Sequence, residues 1–319
     1  MRLLRRRALD STISAPEVTA LNSTLSQQEM LARVRRIQIR ARRLVRMLFL
    51  GEYHSVFRGR GLEFSEVREY EPGDEVRTID WNVTARMGTP YIKKFVEERE
   101  LTLYLLVDVS ASSSFSSTAS TKREMAAELS TLLAFAAQSN NDKTGLIAFS
   151  DRVELYLEPK KGMHHVLRLA RDLLYLEPKG HGTNIAAATD FLMRVAKRPG
   201  VVFLVSDFYA TGFESSLRLA AQKHDITAVS ITDPRESELP RVGLINLRDP
   251  ETGAERLIDT EDAASRDAFA ASAAEAITAR RRRLAGLGVP EVPLRTDRSY
   301  IPSLMTYFKM RAGRKQASA

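Results

Sequence analysis

The segment from Leu101 to Val107 constrains this chain more than any other feature. It is an apolar run ending directly in Asp108. A strand that is apolar on both faces needs cover on both faces, the usual state of a strand inside a parallel sheet. A second such run, Val201 to Val205, also ends in an acid, through Ser206 to Asp207. Shorter strand patterns stand at Leu146–Phe149, Val153–Leu157 and Ile226–Ile231. Helical spacing is found at Thr121–Gln138, His164–Leu174, Ile185–Ala196 and Ser215–Lys223. Strands alternating with helices predict an α/β fold: a doubly wound, mainly parallel sheet covered on both faces.

The C-terminal part adds a hairpin over Val242–Asp259, turning at Asp249–Gly253, and a long helix over Glu261–Leu287. That helix ends in Arg280–Arg283, read as a solvated end whose charge suits a helix C-terminus. Val289–Leu294 is expected as the last strand and Ser303–Met310 as the last helix.

Ahead of the sheet lie three different stretches. Residues 1–24 are weakly patterned and read as a flexible tail. Residues 25–50 read as an Arg-rich amphipathic helix, with Leu31, Val34, Ile37, Ala41, Leu44 or Val45, and Leu48 at three-four spacing. Residues 51–100 carry glycines, Pro72 and short polar-apolar segments, which predict a small, irregular β-containing module. Val67, Val76, Ile79 and Val83 are expected in its short strands and turns. The sheet domain then spans 101–311, and 312–319 read as a tail.

Charge is distributed as unevenly as pattern. Residues 1–50 hold eleven Arg and no Lys against Asp10, Glu17 and Glu29, which accounts for the whole formal charge of +8. There is no cysteine, so disulfides, thiolate zinc sites and a cysteine nucleophile are excluded. No apolar run approaches the length of a membrane span, and the expected location is cytoplasmic.

The chemistry-bearing residues cluster at predicted strand ends. Asp108, Ser110 and Ser112 follow the first buried run, Asp207 follows the second, and Thr183 lies in a glycine-bearing loop just before a helix. In open α/β sheets, ligands bind outside the carboxyl ends of strands where the strand order reverses. Two carboxylates brought together there repel unless a cation separates them. An all-oxygen donor set suits a hard cation, Mg²⁺ or else Mn²⁺. The bland alternative is that the serines cap a helix and Asp108 merely ends a strand.

These five residues carry a resemblance. Residues 101–232 resemble a von Willebrand factor type A domain, with Asp108, Ser110, Ser112, Thr183 and Asp207 matching its metal-ion-dependent adhesion site. The resemblance implies direct ligation by Ser110, Ser112 and Thr183, with Asp108 and Asp207 acting mostly through water. A second resemblance rests on Gly59-x-Gly61-x-Glu63-Phe64, Arg68-x-Tyr70, Pro72-Gly73-Asp74, Arg77-x-Ile79-Asp80-Trp81 and Ala85-Arg86. This string is similar to the signature of the domain of unknown function 58 family. That family joins such a module to a type A domain, and many members are encoded beside MoxR-type AAA+ ATPases.

The expected function is therefore non-enzymatic. A metal-dependent interaction module would grip a carboxylate of a partner, with a MoxR-type AAA+ ATPase and a client protein as the implied partners. Arg68, Arg77 and Arg86 are candidate partner-binding residues, although ion pairing within the module is the favoured reading. Two alternatives stand beside this one. The Arg-rich helix could bind a membrane surface or nucleic acid. Asp108 could serve a Mg²⁺-dependent hydrolase, with His181 as the general base.

Overall fold

In the computed structural model, residues 27–45, 63–96 and 101–317 are described. The N-terminal tail, the end of the Arg-rich helix, and Gly59 and Gly61 fall outside the described residues.

The Arg-rich segment forms α1 (Gln27–Leu44). Val34, Ile37, Ala41 and Val45 are buried at three-four spacing, while Arg35, Arg36, Arg40, Arg42 and Arg43 are exposed. The small module pairs β1 (Glu63–Glu69) antiparallel with β2 (Tyr91–Val96), with a bulge between Phe64 and Glu66. Between them a short helix, α2 (Trp81–Met87), carries Val83, which was expected in a strand or turn. Asp80 starts α2 by accepting from the backbone N–H groups of Asn82 and Val83, and Gly88 ends it at a φ of 79°.

The rest is one mixed α/β unit. Its strands are β3 (Thr102–Asp108), β4 (Lys143–Phe149), β5 (Val153–Lys160), β6 (Val201–Ser206) and β7 (Asp225–Thr232). A separate hairpin, β8 (Leu244–Arg248) with β9 (Glu255–Asp259), precedes the last strand, β10 (Glu291–Arg295). The helices are α3 (Lys122–Ser139), α4 (Met163–Tyr175), α5 (Ile185–Val195), α6 (Glu214–Lys223), α7 (Ala263–Gly286) and α8 (Ile301–Ala317). The central sheet has six strands in the order β10-β7-β6-β3-β4-β5, parallel throughout except for β5, which runs antiparallel to β4.

β3 is buried along its length because both its faces are covered. Leu103, Leu105 and Val107 point into a core shared with α1, α3, α4 and α8. Tyr104 and Leu106 point into the opposite core, with α5, α6 and the end of α7. A capping box at Thr121 and Glu124 sets the start of α3, which fixes the loop leading out of β3.

Two expectations need correction. The last helix continues to Ala317, so the residues from 312 to 317 are helical rather than a tail. The Arg280–Arg283 stretch is not simply a solvated helix end. Arg280 is buried, donates to Glu291 at 2.9 Å, and donates to the backbone oxygen of Asp207 at 3.2 Å. Arg283 donates to the Ala210 carbonyl and lies over the Phe213 ring. A buried guanidinium is tolerated because its donors are met.

Candidate functional site

The chain leaves β3 for β4 on one side and returns as β6 on the other, so the strand order reverses between β3 and β6. Asp108 ends β3 and Asp207 follows β6, which brings both acids to the reversal. The loop holding Thr183 is tied to the same place: the Ala111 N–H donates to the His181 carbonyl at 3.0 Å, and the Asn184 N–H to that of Ser150 at 2.8 Å. Gly180 lets this loop pack closely, because a Cβ there would stand 2.3 Å from Ser150 Oγ and would displace the Ser150 and Asp151 side chains. Asn184 caps α5, which leaves Thr183 on the turn just before the helix.

All five sequence-derived residues meet. Asp108 accepts from the Ser110 N–H at 2.9 Å and from Ser206 Oγ at 2.7 Å. Ser112 Oγ donates to Asp207 Oδ2 at 2.9 Å. Ser110 Oγ lies 3.2 Å from Ser112 Oγ and 2.9 Å from Thr183 Oγ1. Thr183 Oγ1 in turn donates to Glu251 Oε1 at 2.7 Å. A continuous row of oxygens therefore runs from Glu251 through Thr183, Ser110 and Ser112 to Asp207.

Counting protons along this row is informative. An ionised carboxylate only accepts, and each hydroxyl donates once. Thr183 donates to Glu251 and Ser112 donates to Asp207. Ser110 then has one proton for two neighbouring hydroxyls. Four contacts share three hydroxyl protons, so one oxygen–oxygen contact in the row is always without a proton. Beside Asp108, Ser112 and Asp207 there is a pocket of about 20 Å³, enough for one water-sized occupant.

Charge is concentrated here as well. Burial, followed by the Asp207 charge, pushes the Asp108 carboxyl up to about 6. Lys122, at the first position of α3, is buried and reaches Asp207 Oδ2 at 3.0 Å and Glu236 Oε1 at 2.5 Å. Burial alone would lower the Lys122 ammonium, but the two carboxylates outweigh it and hold its pKa above the usual range. Glu236 is pushed up, chiefly by its own burial. Lys122, Ser206, Glu236 and Glu251 were missed from the sequence. The helix starting at Thr121 and the turn at Asp249–Gly253 were visible, but neither points at a residue that distant in the chain.

No group of three or more His, Cys, Asp or Glu that could hold a metal is found among the described residues. The cluster is of a different type, with two buried carboxylates and three hydroxyls. The other sequence candidates do not join it. Arg68 donates to Asp74 Oδ1 at 2.7 Å and lies 3.6 Å from Glu71, an ion pairing internal to the module. Arg77 and Arg86 are exposed.

Residues 66–279 match the model of a family described as "Protein of unknown function DUF58". The chain belongs to this family. Two of its relatives are mycobacterial. The uncharacterized protein Mb1516 of Mycobacterium bovis is 30% identical over 294 residues, covering 91% of this chain and 92% of the relative. The uncharacterized protein MAV169 of Mycobacterium avium is 36% identical over 135 residues, 42% of this chain and 79% of its own. Among solved structures, the conserved hypothetical protein BatB of Bacteroides thetaiotaomicron is 17% identical, covers 69% of this chain and 100% of its own, and superposes with a TM-score of 0.44. Among the described residues, no helix is long and apolar enough to cross a membrane.

Proposed function

We propose that this DUF58 family member is a non-enzymatic interaction protein with a von Willebrand factor type A-like sheet domain. Asp108, Ser110, Ser112, Thr183 and Asp207 hold Mg²⁺, or Mn²⁺, and through it a carboxylate of a partner protein. The observation that carries this reading is the hydroxyl row with one contact too many for its protons. Lone pairs facing one another are repulsive, and a cation between them turns the repulsion into ligation. The spacing agrees: octahedral Mg²⁺ at about 2.1 Å from its ligands sets neighbouring ligand oxygens about 3 Å apart. The raised Asp108 carboxyl supports the same conclusion, since the buried ammonium nearby, Lys122, is paired with Asp207 and Glu236 rather than with Asp108.

When bound, the cation supplies an electrophilic position open to an incoming carboxylate, because hydroxyl ligands leave its charge largely uncompensated. The chain's own residues do the rest. Ser206 and the Ser110 N–H orient Asp108, while Lys122 and Ser112 orient Asp207. The proposed partner is a MoxR-type AAA+ ATPase acting on a client, as the family resemblance implies.

The test is capture of a candidate MoxR-type ATPase in Mg²⁺ and in EDTA, repeated with Asp108→Ala. Binding lost in EDTA and in the variant is the expected result. Equal binding in all three conditions removes the metal from the interaction.

The exposed arginines of α1 favour a second docking surface for an acidic partner or nucleic acid. They speak less for insertion at a membrane surface, because the apolar stripe of α1 is already buried against α3 and α4. Random DNA and anionic vesicles, titrated against salt, check this reading.

A further inference from the structure

The β8–β9 hairpin is tied to the body at its base. Thr260 is buried and bonds through its hydroxyl to the Gly243 carbonyl and the Val242 N–H. Leu244 and Leu257, on one face of the hairpin, are 68% and 67% exposed, while Ile245, Leu247 and Ile258 on the other face are half-buried, so apolar packing holds the arms only in part. The tip, by contrast, is well ordered by its own side chains. Asp249 accepts from the Glu251 N–H at 2.9 Å and the Thr252 hydroxyl at 2.6 Å, and Gly253 turns the chain at a φ of 72°. This turn presents Glu251 to Thr183, the outermost hydroxyl of the row, at 2.7 Å.

We infer that Glu251 is a carboxylate ligand that the chain supplies to its own site, and that the hairpin is a latch which a partner's carboxylate must displace. The inference rests on the metal-dependent reading above and assigns its regulation. A site built to receive one carboxylate from outside already has one at its rim. Both carboxylates bear on the same hydroxyl row, so they compete. Because the residues of the tip are exposed, the arms are no more than half-buried and the base is fixed, releasing Glu251 frees the tip without unfolding the sheet.

The experiment uses the full chain and Mn²⁺ alone as the probe. Affinity and the number of exchangeable metal-bound waters are read by electron paramagnetic resonance and water relaxation. Hydrogen exchange follows residues 242–259. Glu251→Gln is expected to weaken Mn²⁺ binding roughly tenfold, because ligand charge sets affinity. It should also add one exchangeable water and abolish metal-induced protection of the hairpin. Glu255→Gln, on the same hairpin, should do none of these. If Glu251→Gln binds Mn²⁺ with wild-type affinity and water count, the latch is overturned while the metal site stands. If wild type shows no Mn²⁺ binding that Asp108→Ala removes, the metal reading falls, and the latch falls with it.

Discussion

The sheet domain and the small module of residues 63–96 are held together by different means. In the sheet domain, side chains such as Leu105 and Phe203 are wholly buried, and they sit in register on adjacent strands. In the module, among the described side chains, Ile92 and Asp80 are buried, whereas Val76, Trp81 and Met87 are 59%, 67% and 60% exposed. Its order comes from strand pairing, the Asp80 cap, the αL turn at Gly88 and the Arg68–Asp74 pair. Among the described side chains, one region is stabilised chiefly by apolar burial and the other by backbone and polar contacts. The difference is one of stability: the sheet domain has the larger buried apolar core, and the module carries exposed apolar side chains at Val76, Trp81 and Met87.

The largest expected effect breaks this contrast at the centre. Phe203→Ala should cost about 3–5 kcal/mol in denaturant unfolding, since the cavity would be enclosed in the core on one face of the sheet. Ile92→Ala should leave that transition nearly unmoved and instead raise hydrogen exchange within β1 and β2. Equal shifts in the global midpoint would show that the two regions unfold as one.

Nearly as large is Lys122→Met. Removing one partner of a buried ion pair leaves Asp207 and Glu236 uncompensated, at a cost of about 3 kcal/mol or more. Added Mg²⁺ should recover part of the lost thermal stability in this variant. No recovery would place Asp207 outside the metal's reach.

A moderate effect concerns pH. His224 is buried, accepts from the Gly200 N–H at Nδ1, and leaves Nε2 without a hydrogen-bond partner. Burial, then the nearby Lys223 charge, lowers its pKa to about 4. The folded state therefore holds His224 neutral, while the unfolded chain protonates near pH 6.5. Stability from this group is full above pH 6.5 and is lost as pH falls towards 4, by up to about 3 kcal/mol. His224→Phe should flatten that part of the stability–pH curve.

The smallest effect sharpens the module's side of the contrast. Trp81→Ala should change stability by less than about 0.5 kcal/mol, as for other exposed substitutions. Trp81 is the single tryptophan in the chain. Its emission should be that of indole in water when the protein is free, and should shift to the blue when a partner covers the module.

Most of the sheet domain could be read from the sequence, because doubly buried strands leave continuous apolar runs and their covering helices leave three-four spacing. The convergence of Asp108, Ser110, Ser112, Thr183 and Asp207 was legible for the same reason: they stand at the ends of readable strands or just before a readable helix. Features set by distant contacts were not legible. Arg280 looks solvated until Asp207, 73 residues away, is placed beside it. Glu251 looks like an ordinary turn residue until Thr183, 68 residues away, is brought to the hairpin tip. The end of α8 was missed because Gly313, Arg314, Lys315 and Gln316 carry almost no apolar periodicity. α2 is too short to show a period, although Asp80 and Gly88 are the residues that start and stop it.

The reversal of strand order also has a consequence in time. β3 can pair with β4, the next strand to be synthesised, but its other neighbour, β6, comes much later. Ser206 reaches Asp108 across 98 residues. Contacts so far apart in sequence form slowly, because a long loop must close before they gain anything. During synthesis, Asp108 and its serines emerge well before Asp207 and Glu236, and the Glu251 hairpin emerges after that. The oxygen cluster is thus among the last parts of the molecule to be assembled, and a nascent or truncated chain that lacks β6 cannot complete it.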